Sequence, residues 1–207
     1  MTDKATRTAT RAEATAARII DAARTLFLER PYADVTTEMI VRAAKVTKGA
    51  LYHHFQSKEA LYSSMMLDDL ERKRRLFEEA VALDGTCRER LGRLTGDFFR
   101  LPEEERELIR LVRRDINTFS GKERNRMVRA YQKALPAQVE QIVSDGIADG
   151  ELEAADARLL SWSYVALVEV MMNEYADDVL GSTQARLEHV LGIFFEGVGA
   201  DRVEVPA

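Results

Sequence analysis

The chain has 207 residues, 46% hydrophobic and 31% charged, which are the proportions of a folded globular protein of one or two domains. No apolar run approaches the ~18–20 residues of a membrane span, and the polar start MTDKATRTATRAEATAAR lacks the apolar core of a secretory signal. The single cysteine, Cys87, excludes an intramolecular disulfide and a cysteine metal cluster, and reads as an inert thiol; the expectation is a cytoplasmic protein without cofactor or metal. The net charge of −5 divides unevenly: residues 1–75 hold 14 Lys/Arg against 10 Asp/Glu, and residues 76–207 hold 16 against 25. A basic N-terminal third on an acidic body is the layout of a local nucleic-acid-binding module.

Residues 1–12, with Lys4, Arg7 and Arg11, read as a disordered basic arm. From Glu13 to about Arg30 the apolar positions Ala16, Ile19, Ile20, Ala23, Leu26 and Phe27 recur at helical spacing. Pro31 and Asp34 end that helix. Thr36 or Thr37 caps a short helix with Ile40, Val41 and Ala44 as its apolar face and Glu38 in its first turn. Lys45-Val46-Thr47 is long enough only for a turn. Thr47 then caps a second short helix through Phe55, with Leu51 and Phe55 on its core side. Gly49 in that helix costs ~1 kcal/mol relative to alanine, which suggests that something comes close to its backbone, such as a phosphate or base edge. Ser57 caps a third helix that runs to about Ala82.

Two short helices across a tight turn form the helix-turn-helix pattern, whose second helix enters a DNA major groove. On this reading Thr36 and Thr37, then Thr47, Lys48, Gly49, Ala50, Tyr52 and His53, and finally Lys58 at the next helix start are the DNA-contacting residues. His53 and His54 are adjacent and face different sides, which does not suit a metal pair.

The remainder reads as helical throughout: Thr86 to about Arg100, a helix from Pro102 past Ile116, and about Lys122 to Ile147 with a kink or boundary near Ala134 imposed by Pro136. Two final helices cover about Ala155 to Leu180 and Ser182 to Gly197. The former is apolar around most of its circumference, so a second subunit is the natural cover for one side. Leu160, Leu167, Val190 and Phe194 are the expected dimer-interface residues.

The combination of Thr37, Ile40, the run Ala44 to Tyr52, His54-Phe55 and Ser57 to Leu61 resembles the TetR family of bacterial transcriptional regulators. The family commonly has Ala and Gly where this chain has Val41 and Lys45. The resemblance implies an all-α protein with a three-helix DNA-binding domain at 1–56, carrying the basic arm, and a ligand-binding and dimerisation domain at 57–207. It implies a homodimeric repressor that binds double-stranded palindromic operator DNA and is released by a small-molecule effector, with no membrane association. It also implies an inducer pocket among the middle helices. The residues suited to line one are Phe98, Phe99, Ile116, Phe119, Met127, Tyr131, Trp162, Met171 and Tyr175, an apolar, methionine-containing set that fits an acyl-CoA, fatty or aromatic compound. The arginines at 110, 113, 114, 124, 126 and 129 either hold a phosphorylated carrier or, more often in such runs, form a solvated face paired with Glu103–Glu107. No Ser-His-Asp set, phosphate-binding glycine loop or metal spacing suggests an enzyme. The competing reading is a helical interaction protein without sequence-specific DNA binding.

Overall fold

The computed structural model describes the backbone of residues 2–197 and the side chains of 12–79 and 81–197. Every regular element among them is helical: α1 Thr2–Glu29, α2 Thr37–Ala44, α3 Lys48–His54, α4 Lys58–Val81, α5 Cys87–Arg100, α6 Glu103–Asp115, α7 Gly121–Ala134, α8 Pro136–Ala148, α9 Ala157–Val170, α10 Glu174–Leu180 and α11 Thr183–Glu196, with short 3-10 turns at Tyr32–Asp34 and Ile116–Thr118.

Two of these elements differ from expectation and a third meets it. The basic arm is not an arm: α1 begins at Thr2 and takes in the whole stretch. Its residues are chiefly Ala, Thr, Arg and Lys, without Gly or Pro, so nothing in it breaks a helix. Pro136 imposes the expected boundary: α7 ends at Ala134 and α8 starts at Pro136, with Leu135 at φ −130° between them. The apolar segment 155–180 is also two helices. The backbone leaves the helix after Met171, and Asn173 restarts it by accepting a hydrogen bond from the Ala176 N–H. The Arg186 guanidinium donates to the freed Met171 carbonyl and pairs with Asp177 at 2.5 Å, so the break is held from α11.

The chain divides into two compact units, one reaching to Glu71 and including Glu103–Tyr131, the other Arg72–Pro102 with the chain from Gln132 onward. In the first, α1 packs on α2, α3 and α6 around Ile19, Ala23, Phe27, Ile40, Leu51, Leu61, Met65 and Ile109, all buried. Phe27, Tyr32, Tyr62 and Phe119 form an aromatic cluster with ring centroids 4.8–5.8 Å apart. One polar network runs through it. Asp115 accepts from Tyr62 Oη (3.0 Å) and from Arg114 Nε and Nη2 (3.0 and 2.8 Å), while Arg114 Nη2 also donates to the carbonyls of Phe27 and Arg30 at the end of α1. A guanidinium there satisfies carbonyls that a helix terminus leaves unpaired. Thus α6 is bound to the helices that carry the helix-turn-helix.

In the second unit α8 lies along α9, and α5 packs on α8 and α11. Gly146 permits the α5–α8 approach, since a Cβ there would stand 2.8 Å from the Cβ of Cys87. Tyr164 is buried in the centre, its Oη 2.7 Å from Thr95 Oγ1 and donating to the Leu91 carbonyl. Burial raises its pKa, so the phenol stays neutral.

Candidate nucleic-acid interface

The reading head is built by its caps. Thr36 Oγ1 accepts from the Met39 N–H at 3.2 Å and Thr47 Oγ1 from the Ala50 N–H at 3.1 Å, so each short helix begins at a threonine that satisfies one of its free donors. Between them Lys45 occupies the left-handed region (φ 53°, ψ 47°). Its N–H bonds to the Arg42 carbonyl and that of Val46 to the Val41 carbonyl, which closes α2. A side chain in this conformation costs about 1–2 kcal/mol where glycine would cost nothing. Leu51, Ile40 and Ala44 are buried and fix the α3 register.

That register leaves Lys48, Gly49 and His53 exposed and Tyr52 at 45% exposure. Ala50 and His54 are half-buried. A Cβ added at Gly49 would meet nothing nearer than Thr47 Oγ1 at 3.9 Å, so the fold itself does not require glycine there. Thr36 is exposed and Thr37 half-buried at the start of α2, with Thr37 Oγ1 donating to Glu38. Glu38 in turn pairs with Lys48 Nζ at 2.6 Å, a cross-link between α2 and α3 that sequence spacing did not reveal. The hydrogen bond from Lys48 holds the Glu38 carboxyl below the usual range, and the same bond raises the Lys48 pKa.

Lys58 departs from its assignment as a phosphate contact. Its ammonium donates to the carbonyls of Tyr32 (2.8 Å) and Val35 (2.7 Å) and sits 4.1 Å from the centroid of the Tyr32 ring. Partial burial lowers its pKa, and its donors are committed to the α1–α2 connection.

The expected pocket residues are divided between the two units. Phe119 belongs to the aromatic cluster of the first unit, and Met127 is buried in the same unit beside half-buried Ile116 and Tyr131. Phe98, Phe99 and Met171 are buried in the second. Trp162 and Tyr175 lie on the surface, at 45% and 76% exposure. The second unit does hold a cleft of about 570 Å³, but its walls are other residues: Gly92, Arg93, Gly96 and Arg100 of α5 with Thr183 and Leu187 of α11. The two glycines one turn apart were the sequence signal for it. Of the arginine run, Arg110 pairs with Glu107 and Arg114 with Asp115. Of the expected interface residues, Val190 is 1% exposed and therefore core, Phe194 packs edge-on against Tyr164, and Leu160 and Leu167 are half-buried. The outward side of α9 is instead Leu159, Trp162, Ala166 and Val170, at i, i+3, i+7 and i+11.

Comparison with known proteins agrees with this architecture. Residues 19–65 match the family model described as bacterial regulatory proteins, tetR family, and residues 84–178 match a tetracyclin repressor-like C-terminal domain; together these cover more than half of the chain. Over 72 residues the chain is 39% identical to the HTH-type transcriptional regulator UidR of Escherichia coli K12, a match covering 35% of this chain and 37% of that protein, little more than a third of the relative's length. Among solved structures it is similar to the regulator FadR from Bacillus subtilis in complex with stearoyl-CoA (21% identity, 88% of this chain and 98% of that one, TM-score 0.72). It is also similar to AibR in complex with isovaleryl coenzyme A and operator DNA (20% identity, 87% and 98%, TM-score 0.69).

Proposed function

The chain belongs to the TetR family of bacterial regulatory proteins, and on that premise we propose that it is a transcriptional repressor that binds a palindromic operator as a homodimer and is released by a small-molecule effector. The observation that carries this reading is the outer face of α3. Lys48, Gly49, Tyr52 and His53 present two phosphate or base donors, a bare backbone and an aromatic hydroxyl to solvent, while Leu51 anchors the opposite side. A helix so mounted, seven residues long and capped at Thr47, presents its N-terminal turn to the major groove. Thr36, Thr37, Thr47 and Ala50 complete the contact set at the two helix starts. DNA reading belongs to residues 1–56, and effector binding and self-association to 57–207.

The apolar stripe Leu159, Trp162, Ala166 and Val170 is the surface we assign to the second subunit, with Phe194 and the half-buried Leu160 and Leu167 behind it. Two copies of the head then read two half-sites related by the dimer axis. An acyl-CoA or related acyl compound is the effector class supported by the two complexes named above; this chain is a regulator and not an enzyme. An effector acts only through a difference in affinity between the DNA-competent and DNA-incompetent states.

The experiment is an anisotropy titration of the full chain on palindromes from the DNA beside its own gene, at several salt concentrations. Expected is one palindrome bound ~10³-fold or more above random duplex, with steep salt dependence. Uniform weak binding to all duplexes overturns the reading. Light scattering of the parent and of Trp162→Glu tests the dimer: a dimer that dissociates in the variant supports the assigned stripe, and a monomeric parent refutes it.

A further inference from the structure

The first unit carries an opening that DNA reading does not use. It is a pocket of about 350 Å³ against the first turns of α4 and the start of α7, lined by Glu59, Ser63, Ser64 and Asp68 of one helix and Glu123 and Arg126 of the other. The volume is at the small end of ligand sites.

Two observations separate it from an ordinary charged groove. Ser63 is 2% exposed, and its Oγ, closed off from solvent, has no hydrogen-bond partner among the described residues. A serine in a helix has the carbonyl four residues back within reach, and a buried hydroxyl left unpaired costs about 1–3 kcal/mol. This hydroxyl remains uncommitted at the wall of a pocket. The charges around it are uncommitted too. Asp68, Glu123 and Arg126 make no hydrogen bond or ion pair with any described residue, whereas Arg110 and Arg114 of the same unit are paired. Three carboxylates, one guanidinium, Ser63, Ser64 and the helix-capping Ser57 form a surface complementary to two positive charges and at most one negative one. A metal ion does not answer to it, because among the described residues no set of His, Cys, Asp or Glu side chains stands close enough to hold one.

We propose that this pocket binds a small organic cation with two ammonium groups, either a linear diamine or a basic amino acid. An ammonium carries three donors, enough to engage a carboxylate and a serine oxygen together. Ser63 Oγ accepts from the deeper ammonium, Asp68 and Glu123 neutralise the pair, and in a basic amino acid the carboxylate faces Arg126.

Calorimetric titration of the full chain with cadaverine and with lysine, which differ only by the carboxylate, tests the proposal at about 150 mM salt, where non-specific attraction is screened. Expected is one saturable site per chain for at least one of the two. Ser63→Ala and Glu123→Gln should each weaken binding about tenfold or more, the loss of one charge-assisted hydrogen bond. The thermal melt of unliganded Ser63→Ala should stay level or rise, since no native partner is lost. Arg126→Gln distinguishes the sources: selective loss of lysine binding assigns a basic amino acid, and parent binding of cadaverine over lysine assigns a diamine. No saturation by either below ~10 mM, or parent-like binding by both Ser63→Ala and Glu123→Gln, overturns the proposal. Binding is read directly, so the outcome does not depend on operator recognition.

Discussion

Lys48 Nζ stands 2.6 Å from Glu38 Oε1, so the first basic residue of the reading helix is already tied to a carboxylate on α2. Both side chains are more than half exposed, and such a pair contributes little to stability. Its consequence is for DNA. Lys48 approaches phosphate or base with Glu38 beside it, and the carboxylate repels the same phosphates that attract the ammonium. Glu38→Gln should therefore bind all duplexes a few-fold more tightly and blunt discrimination, with an unchanged melting temperature. Lys48→Ala should weaken binding and reduce the slope of log K against log salt by about one if Lys48 meets phosphate. Equal slopes in Lys48→Ala and the parent, measured by anisotropy, would place Lys48 off the DNA.

Gly49 offers a test in which stability and binding move in opposite directions. Apart from its chain neighbours and the backbone of its own helix, no described atom lies nearer than 3.9 Å to a Cβ built there, and the residue sits within α3. Gly49→Ala should stabilise the fold by up to ~1 kcal/mol in urea unfolding. If the glycine serves close approach of DNA backbone or base, the same substitution should weaken operator binding about tenfold or more, and Gly49→Val further. Stabilisation with undiminished binding would make the glycine incidental.

Asp115 joins α6 to the head. It accepts from Tyr62 and Arg114 and is nearly sealed from solvent, while the Arg114 side chain is 37% exposed. Breaking a fully buried pair costs about 3–5 kcal/mol, and the exposure of the guanidinium lowers the expectation for Asp115→Ala to about 2–3 kcal/mol. Tyr62→Phe removes one O–H donor, shared between Asp115 and, at 3.4 Å, the Leu111 carbonyl, and should cost about 1 kcal/mol. Additivity in the double variant would show that the two interactions are independent rather than one network.

The head was legible because its signals are local. Thr36, Thr47 and Ser57 are caps readable at a fixed offset from the helices they start, and the structure places a hydrogen bond at each. Lys45 was not legible in this way: its positive φ is imposed by the turn it must close, not by its own preference. Lys58 turned inward because its acceptors, the Tyr32 and Val35 carbonyls, lie 26 and 23 residues back along the chain. The break after Met171 depends on Arg186, fifteen residues ahead. On α9 the apolar pattern covers most of the circumference, so periodicity could not tell Leu160 from Leu159, and only packing turned one inward and the other outward. The arginines lining the α5–α11 cleft were invisible for a similar reason, since α5 and α11 stand about ninety residues apart in the chain.

Cys87 opens α5, a position at which a helix N-terminus usually favours a thiolate. Here burial pushes the thiol up to about 11, with the carboxylates of Glu151 and Asp145 adding to it and Arg90 opposing. Glu151 also accepts the Cys87 N–H at 2.8 Å, so the first free donor of the helix already faces a negative charge. At pH 8 a thiol of that pKa is thiolate in about one molecule in a thousand, some hundredfold less than one near 9. Labelling by a disulfide reagent should therefore be slow in the folded chain and fast in urea. The sign of the stability effect follows from the direction of the shift. A folded pKa above the unfolded one leaves stability intact below about pH 9 and removes it as pH rises towards 11, where the unfolded chain ionises and the folded one does not. The loss attributable to this group should approach about 2–3 kcal/mol at the top of that window. Cys87→Ser, whose hydroxyl does not titrate there, isolates it from tyrosine ionisation: its unfolding free energy in urea should fall less steeply than the parent's between pH 9 and 11. Parallel curves for the two proteins, or rapid labelling at pH 8, would mean that Cys87 is accessible and carries no such shift.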